Sequence, residues 1–440
     1  MKLQSLPNQI LDAILSFCSM LDLKSLRLVS SFLIAPSSRL LFRNISMCFY
    51  LASVERLTSI AKSRHATSVR QLKIHTAILP EFTNDHALAM TLDRESDDYH
   101  FFRQANQASK DAYIKEYKEQ LDSQARYLVD KSFWQEIQRA LEAMTGLRNL
   151  EMARYELGCF ERFKIGRFMS SLPMWQLCHY MSHEGLEESR DVVFTVPEGI
   201  SFDQRLMSGI IGQVALPSVS QQLRKLRYQL TMHPPSSNID ITTRAHFDRV
   251  IMLVHVTKYP LLTSLDLEIV LSGALELDIK LLTAVHSMLA SATGLKSLTL
   301  DICCADVEVD IRGPDHLESI ATLRWPNLET LWLSCSTTKQ SLLAFLSQHH
   351  GTLKSLRLIH MRMLGNDGGW KSFLNEIPKL SNLETLELFF LTEMNDLDLV
   401  YYLWYWDERT TESFRTSIKS GNNKEAMVRP TYPRPDWPCR

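Results

Sequence analysis

The sequence predicts an α/β protein in which a small N-terminal helical module is followed by a right-handed α/β solenoid. Three observations lead there. A six-residue pattern, leucine-x-x-leucine-x-leucine, recurs at Leu262/Leu265/Leu267, Leu295/Leu298/Leu300, Leu328/Leu331/Leu333, Leu353/Leu356/Leu358 and Leu383/Leu386/Leu388, with starts 33, 33, 25 and 30 residues apart. Self-similarity at such a period marks stacked units that cannot bury their own apolar faces. Helical periodicities fill the intervals, and the first 46 residues break into short amphipathic stretches.

Composition sets the outer limits. A chain of 440 residues with 45% hydrophobic and 22% charged residues has enough apolar material for more than one folding unit. Its 48 lysines and arginines against 50 aspartates and glutamates give no global field for nucleic acid or an anionic membrane. The eight cysteines are scattered through a long chain, unlike a secreted disulfide framework. Pro7, Asn8 and Asp12 interrupt what a signal peptide needs as an unbroken apolar stretch, and no run reaches spanning length. A reducing compartment, cytoplasmic or nuclear, is the expectation.

From the N-terminus, Pro7 suits a first helical turn, and Ile10, Leu11, Ile14, Leu15 and Cys18 follow at one-face spacing. Asp22 is placed to cap a second helix carrying Leu23, Leu26 and Val29. Ser30 or Ser31 and then Pro36 mark further restarts before Leu40, Leu41 and Phe42. A cluster of roughly 40 residues is too small to be stable alone and is expected to dock on something.

The string Leu6-Pro7-Asn8-Gln9-Ile10-Leu11, with Asp22-Leu23, Leu26-Arg27-Leu28-Val29-Ser30 and Leu41-Phe42-Arg43, resembles the F-box, particularly in its fungal members. The resemblance covers about a tenth of the chain. It implies docking on the Skp-type adaptor of a cullin-RING ubiquitin ligase through Leu6, Pro7, Ile10, Leu11, Ile14, Leu23 and Leu26, with the remainder of the chain recruiting a substrate protein. The other reading of these apolar residues is that they pack on the following domain.

Looser copies of the repeat stand at Val69/Leu72/Ile74, Leu147/Leu150/Met152 and Leu223/Leu226/Tyr228. Between the strands lie Phe133, Trp134, Ile137 and Leu141; Leu281, Leu282, Val285 and Leu289; Leu342, Leu343 and Leu346; and Phe373, Leu374 and Ile377. Gly146, Gly294 and Gly351 close three of these helices, where a left-handed residue is expected. Strands that each return through a helix pair in parallel, with helices outside and the sheet inside the curve. This resembles the leucine-rich-repeat family in its ribonuclease-inhibitor-like form. The family's ninth-position asparagine or cysteine is matched by Cys303 alone, with Val270, Ser336, Met361 and Leu391 at the equivalents.

The expected organisation is therefore an F-box-like module over 1–46, repeats over 47–400 with a polar excursion near 80–132, and a cap and tail over 401–440. Strand alternation turns positions three, five and seven of each unit to the concave face. There Asp266, Glu268 and Asp301 give way to Trp332, Ile359 and Phe389, with Arg357 between. Tryptophan and arginine dominate interface energetics, so Trp332, Arg357, Phe389, Asp266 and Asp301 are the candidate substrate-binding residues. The other reading of Trp332 is a side chain covered by a neighbouring loop or the tail.

No catalytic pattern emerges. Cys159, Cys178, His179 and His183 have metal-ligand chemistry but no structural-finger spacing. Gly365-Asn366-Asp367-Gly368-Gly369 has no lysine-serine or lysine-threonine directly after its last glycine, as a phosphate loop needs, and reads as a turn, Cys303 and Cys304 should diverge on a strand, and the His349-His350 pair should complement a helix dipole. The expectation is a substrate receptor of a Skp-cullin-F-box ligase, not an enzyme, with no cofactor, metal, nucleic acid or membrane partner. The alternative is a leucine-rich scaffold that binds an adaptor without a role in ubiquitin transfer.

Overall fold

The structure, a computed structural model, describes residues 6–48, 51–75, 106–108, 111–112, 114–115, 118–119, 122, 130–153, 209–231, 241–271, 275–304, 315–365, 369–376, 382–389 and 391–393. Most of the polar excursion, the cysteine and histidine residues at 159, 178, 179 and 183, and the tail after 401 lie outside them. The chain divides into two compact units, Met1–Leu223 and Arg224–Arg440.

The first unit opens with three helices, α1 (Asn8–Leu15), α2 (Met20–Val29) and α3 (Ser31–Leu41). Leu11, Leu15, Leu23 and Leu33 form their shared core, with Cys18, Leu26, Phe32, Leu40 and Leu41 partly buried against it. Arg39 of α3 reaches Asp12 of α1 at 2.9 Å. Two local expectations change. Ser19, not Asp22, is the N-cap of α2: its hydroxyl accepts from the Asp22 amide at 3.2 Å while the Asp22 carboxylate takes the Ser19 amide at 3.0 Å. Pro36 does not restart α3 but lies buried inside it, where packing outweighs the helix bond that proline cannot donate to the Phe32 carbonyl.

Strand β1 (Asn44–Cys48) follows at once, then α4 (Leu51–Ala61), β2 (Gln71–His75), α5 (Lys131–Ala143), β3 (Asn149–Ala153) and the short α6 (Pro217–Ser220). β1, β2 and β3 pair in parallel, with Ile45 facing Leu72 and Leu72 facing Leu150. The boundary expected after residue 46 therefore falls inside β1, whose partner is a repeat strand.

The second unit runs β4 (Lys225–Thr231), α7 (Ile241–Val256), β5 (Ser264–Leu271), α8 (Leu275–Ser291), β6 (Ser297–Cys304), β7 (Thr330–Ser334), β8 (Ser336–Thr338), α9 (Lys339–Ser347), β9 (Ser355–Ile359), β10 (Arg362–Leu364), α10 (Gly369–Glu376), β11 (Thr385–Phe389) and β12 (Thr392–Glu393). Its main sheet is parallel in the order β4-β5-β6-β7-β9-β11. Equivalent leucines face one another: Leu265, Leu298, Leu331, Leu356 and Leu386 stand side by side, and Leu267, Leu300, Leu333, Leu358 and Leu388 form a second row. All ten are buried. A parallel three-stranded ribbon, β8-β10-β12, continues past the strands and was not anticipated.

One backbone arrangement recurs at the entries of β2, β3, β5, β6, β7, β9 and β11. The carbonyl of Thr263 accepts the amides of both Lys296 and Ser297, that of Lys296 accepts Glu329 and Thr330, that of Glu329 accepts Lys354 and Ser355, and that of Lys354 accepts Glu384 and Thr385, all at 2.7–3.1 Å. In the first unit the Arg43 carbonyl takes Arg70 and Gln71, and the Arg70 carbonyl takes Arg148 and Asn149.

The glycines after the helices do not turn left-handed. Among the described residues only Gly365 (φ 82°) and Gly369 (φ 53°), of the segment that joins β10 and α10, have that backbone among glycines. Gly146 is required for a close approach instead: a Cβ there would run into the Thr67 carbonyl, and its own carbonyl accepts from Arg70 Nη1 at 3.0 Å.

Polar groups replace regular repeat residues in two places. At the ninth position Ser336 is buried and exchanges backbone bonds with His316, whose Nδ1 accepts the Ser336 amide at 3.2 Å and whose amide donates to the Ser336 carbonyl at 3.0 Å. His349 is not a solvated dipole partner but a core residue, 1% exposed. It stacks on Trp325 with centroids 5.4 Å apart, its Nε2 accepts the Trp325 amide at 3.1 Å, and its Nδ1 lies 2.9 Å from the Phe345 carbonyl. With Nδ1 donating and Nε2 accepting, the ring is neutral.

Burial lowers the His349 pKa from the ordinary 6.5, the Phe345 carbonyl partly opposes this, and the Arg324 charge lowers it again. The unfolded chain therefore takes up the proton first, so stability is full above about pH 6.5 and declines as pH falls through the folded value. His349→Leu should cost about 1–3 kcal/mol at pH 8 by leaving the Trp325 amide unpaired. Urea denaturation from pH 8 to 5 should show this deficit shrinking, because the parent alone loses the His349 contribution; a constant deficit would contradict the neutral assignment.

Candidate functional site

Two surfaces collect the residues singled out from the sequence. On the first unit, α1 presents Leu11 and Leu15 inward, and the i, i+3, i+4 spacing sends Ile10 and Ile14 outward. Phe17, in the turn after α1, is 91% exposed. On α2, Leu23 is buried and Leu26 is half-buried, whereas Met20, Leu21, Leu28 and Val29 are exposed, Leu28 at 90%. Leu6 is half-buried and Pro7 exposed.

The seven expected docking residues thus separate. Ile10, Ile14 and Pro7 lie on the surface, while Leu11 and Leu23 belong to the core that fixes the helices. The sequence reading missed Phe17, Met20, Leu21 and Leu28. Their signal was an excess: α2 carries apolar residues on more than the one face its core needs. Large apolar side chains gathered on a surface mark an interaction site, since isolated ones are ordinary but clusters are not.

The second surface is the open face of the second unit's sheet. Along β5, Ser264, Asp266 and Glu268 are half-buried and alternate with buried Leu265, Leu267 and Ile269, as the pleat requires. The same phase holds in β7, β9 and β11, so Trp332 is half-buried, Arg357 exposed and Phe389 half-buried. Ser334 departs from the expected pattern, being buried at position seven.

Register brings Trp332 and Arg357, with Glu387 of β11, into one chain of contacts. Trp332 faces Arg357 and Arg357 faces Glu387. The Arg357 guanidinium lies 5.0 Å from the Trp332 ring centroid, and its Nε donates to Glu387 at 3.0 Å. The Trp332 Nε1 is sheltered from solvent and has no acceptor among the described residues. Phe389 faces Ile359 two positions further along. Asp266 stands apart, separated from Trp332 by Thr299 and paired with Arg227 at 2.9 Å. Asp301 lies between Glu268 on one side and Ser334 on the other.

Ion pairs across this row are surface pairs and contribute little to stability individually. Among the described residues no group of three or more histidine, cysteine, aspartate or glutamate side chains is arranged to hold a metal. No helix among them is long and apolar enough to cross a membrane. The chain matches no family model and no curated protein.

The separation of core from surface in the N-terminal helices is measurable. Leu11→Ala should destabilise them by about 2–5 kcal/mol, whereas Phe17→Ser should change little, within about 0.5 kcal/mol. Hydrogen exchange of the α1–α3 amides reads both; equal protection in the two variants would mean that the helices pack differently.

Proposed function

We propose that this chain is a substrate receptor of a Skp-cullin-F-box ubiquitin ligase, in which α1–α3 form an F-box module and the helix–strand units that follow form a right-handed leucine-rich-repeat solenoid. The observation carrying this reading is the imbalance in the N-terminal helices. Four leucines make their buried core, while seven large apolar side chains, Ile10, Ile14, Phe17, Met20, Leu21, Leu28 and Val29, are left exposed. A module that leaves this many large apolar side chains in water is built to be covered, and the F-box-like string supplies the identity of the cover. The covering partner is a Skp-type adaptor and, through it, a cullin. The strand order, the in-register leucine rows and the repeated strand entry support the solenoid.

In this reading the chain does no covalent chemistry. Its open sheet face holds a substrate protein, and the ligase's other subunits transfer ubiquitin. The residues for adaptor contact are Ile10, Ile14, Phe17, Met20, Leu21 and Leu28, with Leu11, Leu15 and Leu23 positioning them.

Phe17→Asp combined with Leu28→Asp tests the module. Both side chains are exposed, so the variant should fold, and its buried carboxylates would oppose docking. The full chain should co-elute with a recombinant Skp-type adaptor and cullin on size exclusion, and the double variant should not. Undiminished co-elution of the variant, or a parent chain that binds no adaptor, removes the F-box assignment; adaptor without cullin favours a scaffold.

A further inference from the structure

We propose that Arg27, Arg64 and His65 form a binding site for a phosphoryl group, where the N-terminal helices meet the turn after α4. The site depends neither on the adaptor nor on the open sheet face. Arg27 lies in the last turn of α2, one turn beyond the buried Leu23, so the i, i+4 spacing carries its side chain toward the interior. It is half-buried, and its Nε is sheltered from solvent without a hydrogen-bond acceptor. A guanidinium nitrogen withdrawn from water and left unpaired is costly, and a surface arginine ordinarily avoids that cost by turning outward. Neither Arg27 nor the exposed Arg64 makes an ion pair with any described residue. The module does pair charges elsewhere, as Arg39 does with Asp12 at 2.9 Å.

His65 is held in place beside them. It immediately precedes the 3-10 turn Ala66–Ser68, and its ring stacks on Phe42, the residue that ends α3, with centroids 4.6 Å apart and planes inclined by 17°. The His65 amide donates to the Ser63 hydroxyl at 3.1 Å, and its carbonyl accepts the Ser68 amide at 2.9 Å. Neither ring nitrogen has a hydrogen-bond partner among the described residues. Burial lowers the His65 pKa from the ordinary 6.5, and the Arg64 and Arg27 charges lower it further. The fold thus gathers three basic groups that repel one another, and a bound anion reverses that sign. A carboxylate offsets one positive charge. A phosphate monoester brings about two negative charges and three acceptor oxygens, enough for both guanidiniums and for the N–H of a neutral imidazole. A nucleic-acid strand is disfavoured, because its affinity comes from many phosphates neutralised together, and 48 basic against 50 acidic residues give the chain no such field. The phosphoryl group arrives either as the free ion or on a phosphorylated side chain of a protein segment.

The experiment is calorimetric titration of the full chain at constant ionic strength, so that screening does not imitate a specific effect. The probes are inorganic phosphate, a Gly-Ser peptide with one central phosphoserine, and the same peptide with serine or glutamate in its place. Phosphate and the phosphoserine peptide should bind, the serine peptide should not, and the glutamate peptide should be about tenfold weaker than the phosphoserine peptide. Arg27→Gln and Arg64→Gln should each weaken binding about tenfold or more, as the loss of a charge-assisted hydrogen bond does. Arg139→Gln, exposed on α5, should leave it unchanged. Without phosphate both cluster variants should keep or raise the parent's thermal transition, since each removes a like charge. Arg64 is exposed, so its variant tests the site even where Arg27→Gln fails to fold. A phosphoserine peptide that binds more tightly than inorganic phosphate identifies a protein segment as the source, and equal affinity identifies the free ion. No binding of either probe, equal binding of the serine and phosphoserine peptides, or an affinity unchanged by Arg64→Gln overturns the proposal. A lowered thermal transition of Arg27→Gln with phosphate affinity intact also overturns it, because Arg27 would then serve packing alone.

Discussion

Two consecutive amides donating to a single carbonyl of the preceding strand, repeated from Arg43 to Lys354, are the contact on which the rest of the architecture depends. This entry fixes where each strand begins relative to its neighbour. With the start fixed, the period of two along each strand puts both leucines of the pattern into the interior and turns positions three and five outward. A slip of one residue would exchange the two sets, placing Trp332 inside and Leu331 and Leu333 in water. Burying a leucine contributes about 1.5–3 kcal/mol, and a slip would forfeit this at every strand it reached. The composition of the open face is thus a by-product of how the core is registered.

The same logic explains why polar side chains are tolerated in the interior. A buried amide must find an acceptor, and His316 and His349 supply acceptors to the Ser336 and Trp325 amides. Asp315 does comparable work at the start of α9. Its carboxylate accepts from Thr338 Oγ1 at 2.7 Å, Thr337 Oγ1 at 2.8 Å, the Thr338 amide at 3.0 Å and the Leu317 amide at 3.0 Å. Burial pushes its pKa up, but bonds from Thr338, Ser341 and Thr337 outweigh burial and hold it below the ordinary value. A neutral histidine and an ionised aspartate each suit a site where the donors are already fixed.

The N-terminal helices follow a different economy. Their capping box, the Asp12–Arg39 pair and four core leucines organise the module but leave seven large apolar side chains exposed. Exposed aromatic and aliphatic residues at Phe17, Leu21 and Leu28 are costly for solubility unless a partner covers them. The residues that hold the helices together and those left in water are thereby different side chains, so the exposed set can vary without loss of the fold.

The leucine pattern alone determined the parallel α/β class, the strand positions from Leu262 to Leu388 and which side chains share a face, because these follow from a period of two and from connections that must return through a helix. It also identified α5, α8, α9 and α10 from apolar spacing. Tertiary structure decided the rest. Whether Leu11 or Phe17 faces out depends on where α3 packs, which local periodicity does not contain. Pro36 inside α3, the role of Gly146 as a close-approach site and the β8-β10-β12 ribbon depend on neighbours distant in sequence. Trp332, Arg357 and Glu387 were separable as columns in the sequence, but only the registered sheet stacks the guanidinium over the indole and closes the ion pair, because side-chain contact is set by rotamers that a neighbouring strand constrains.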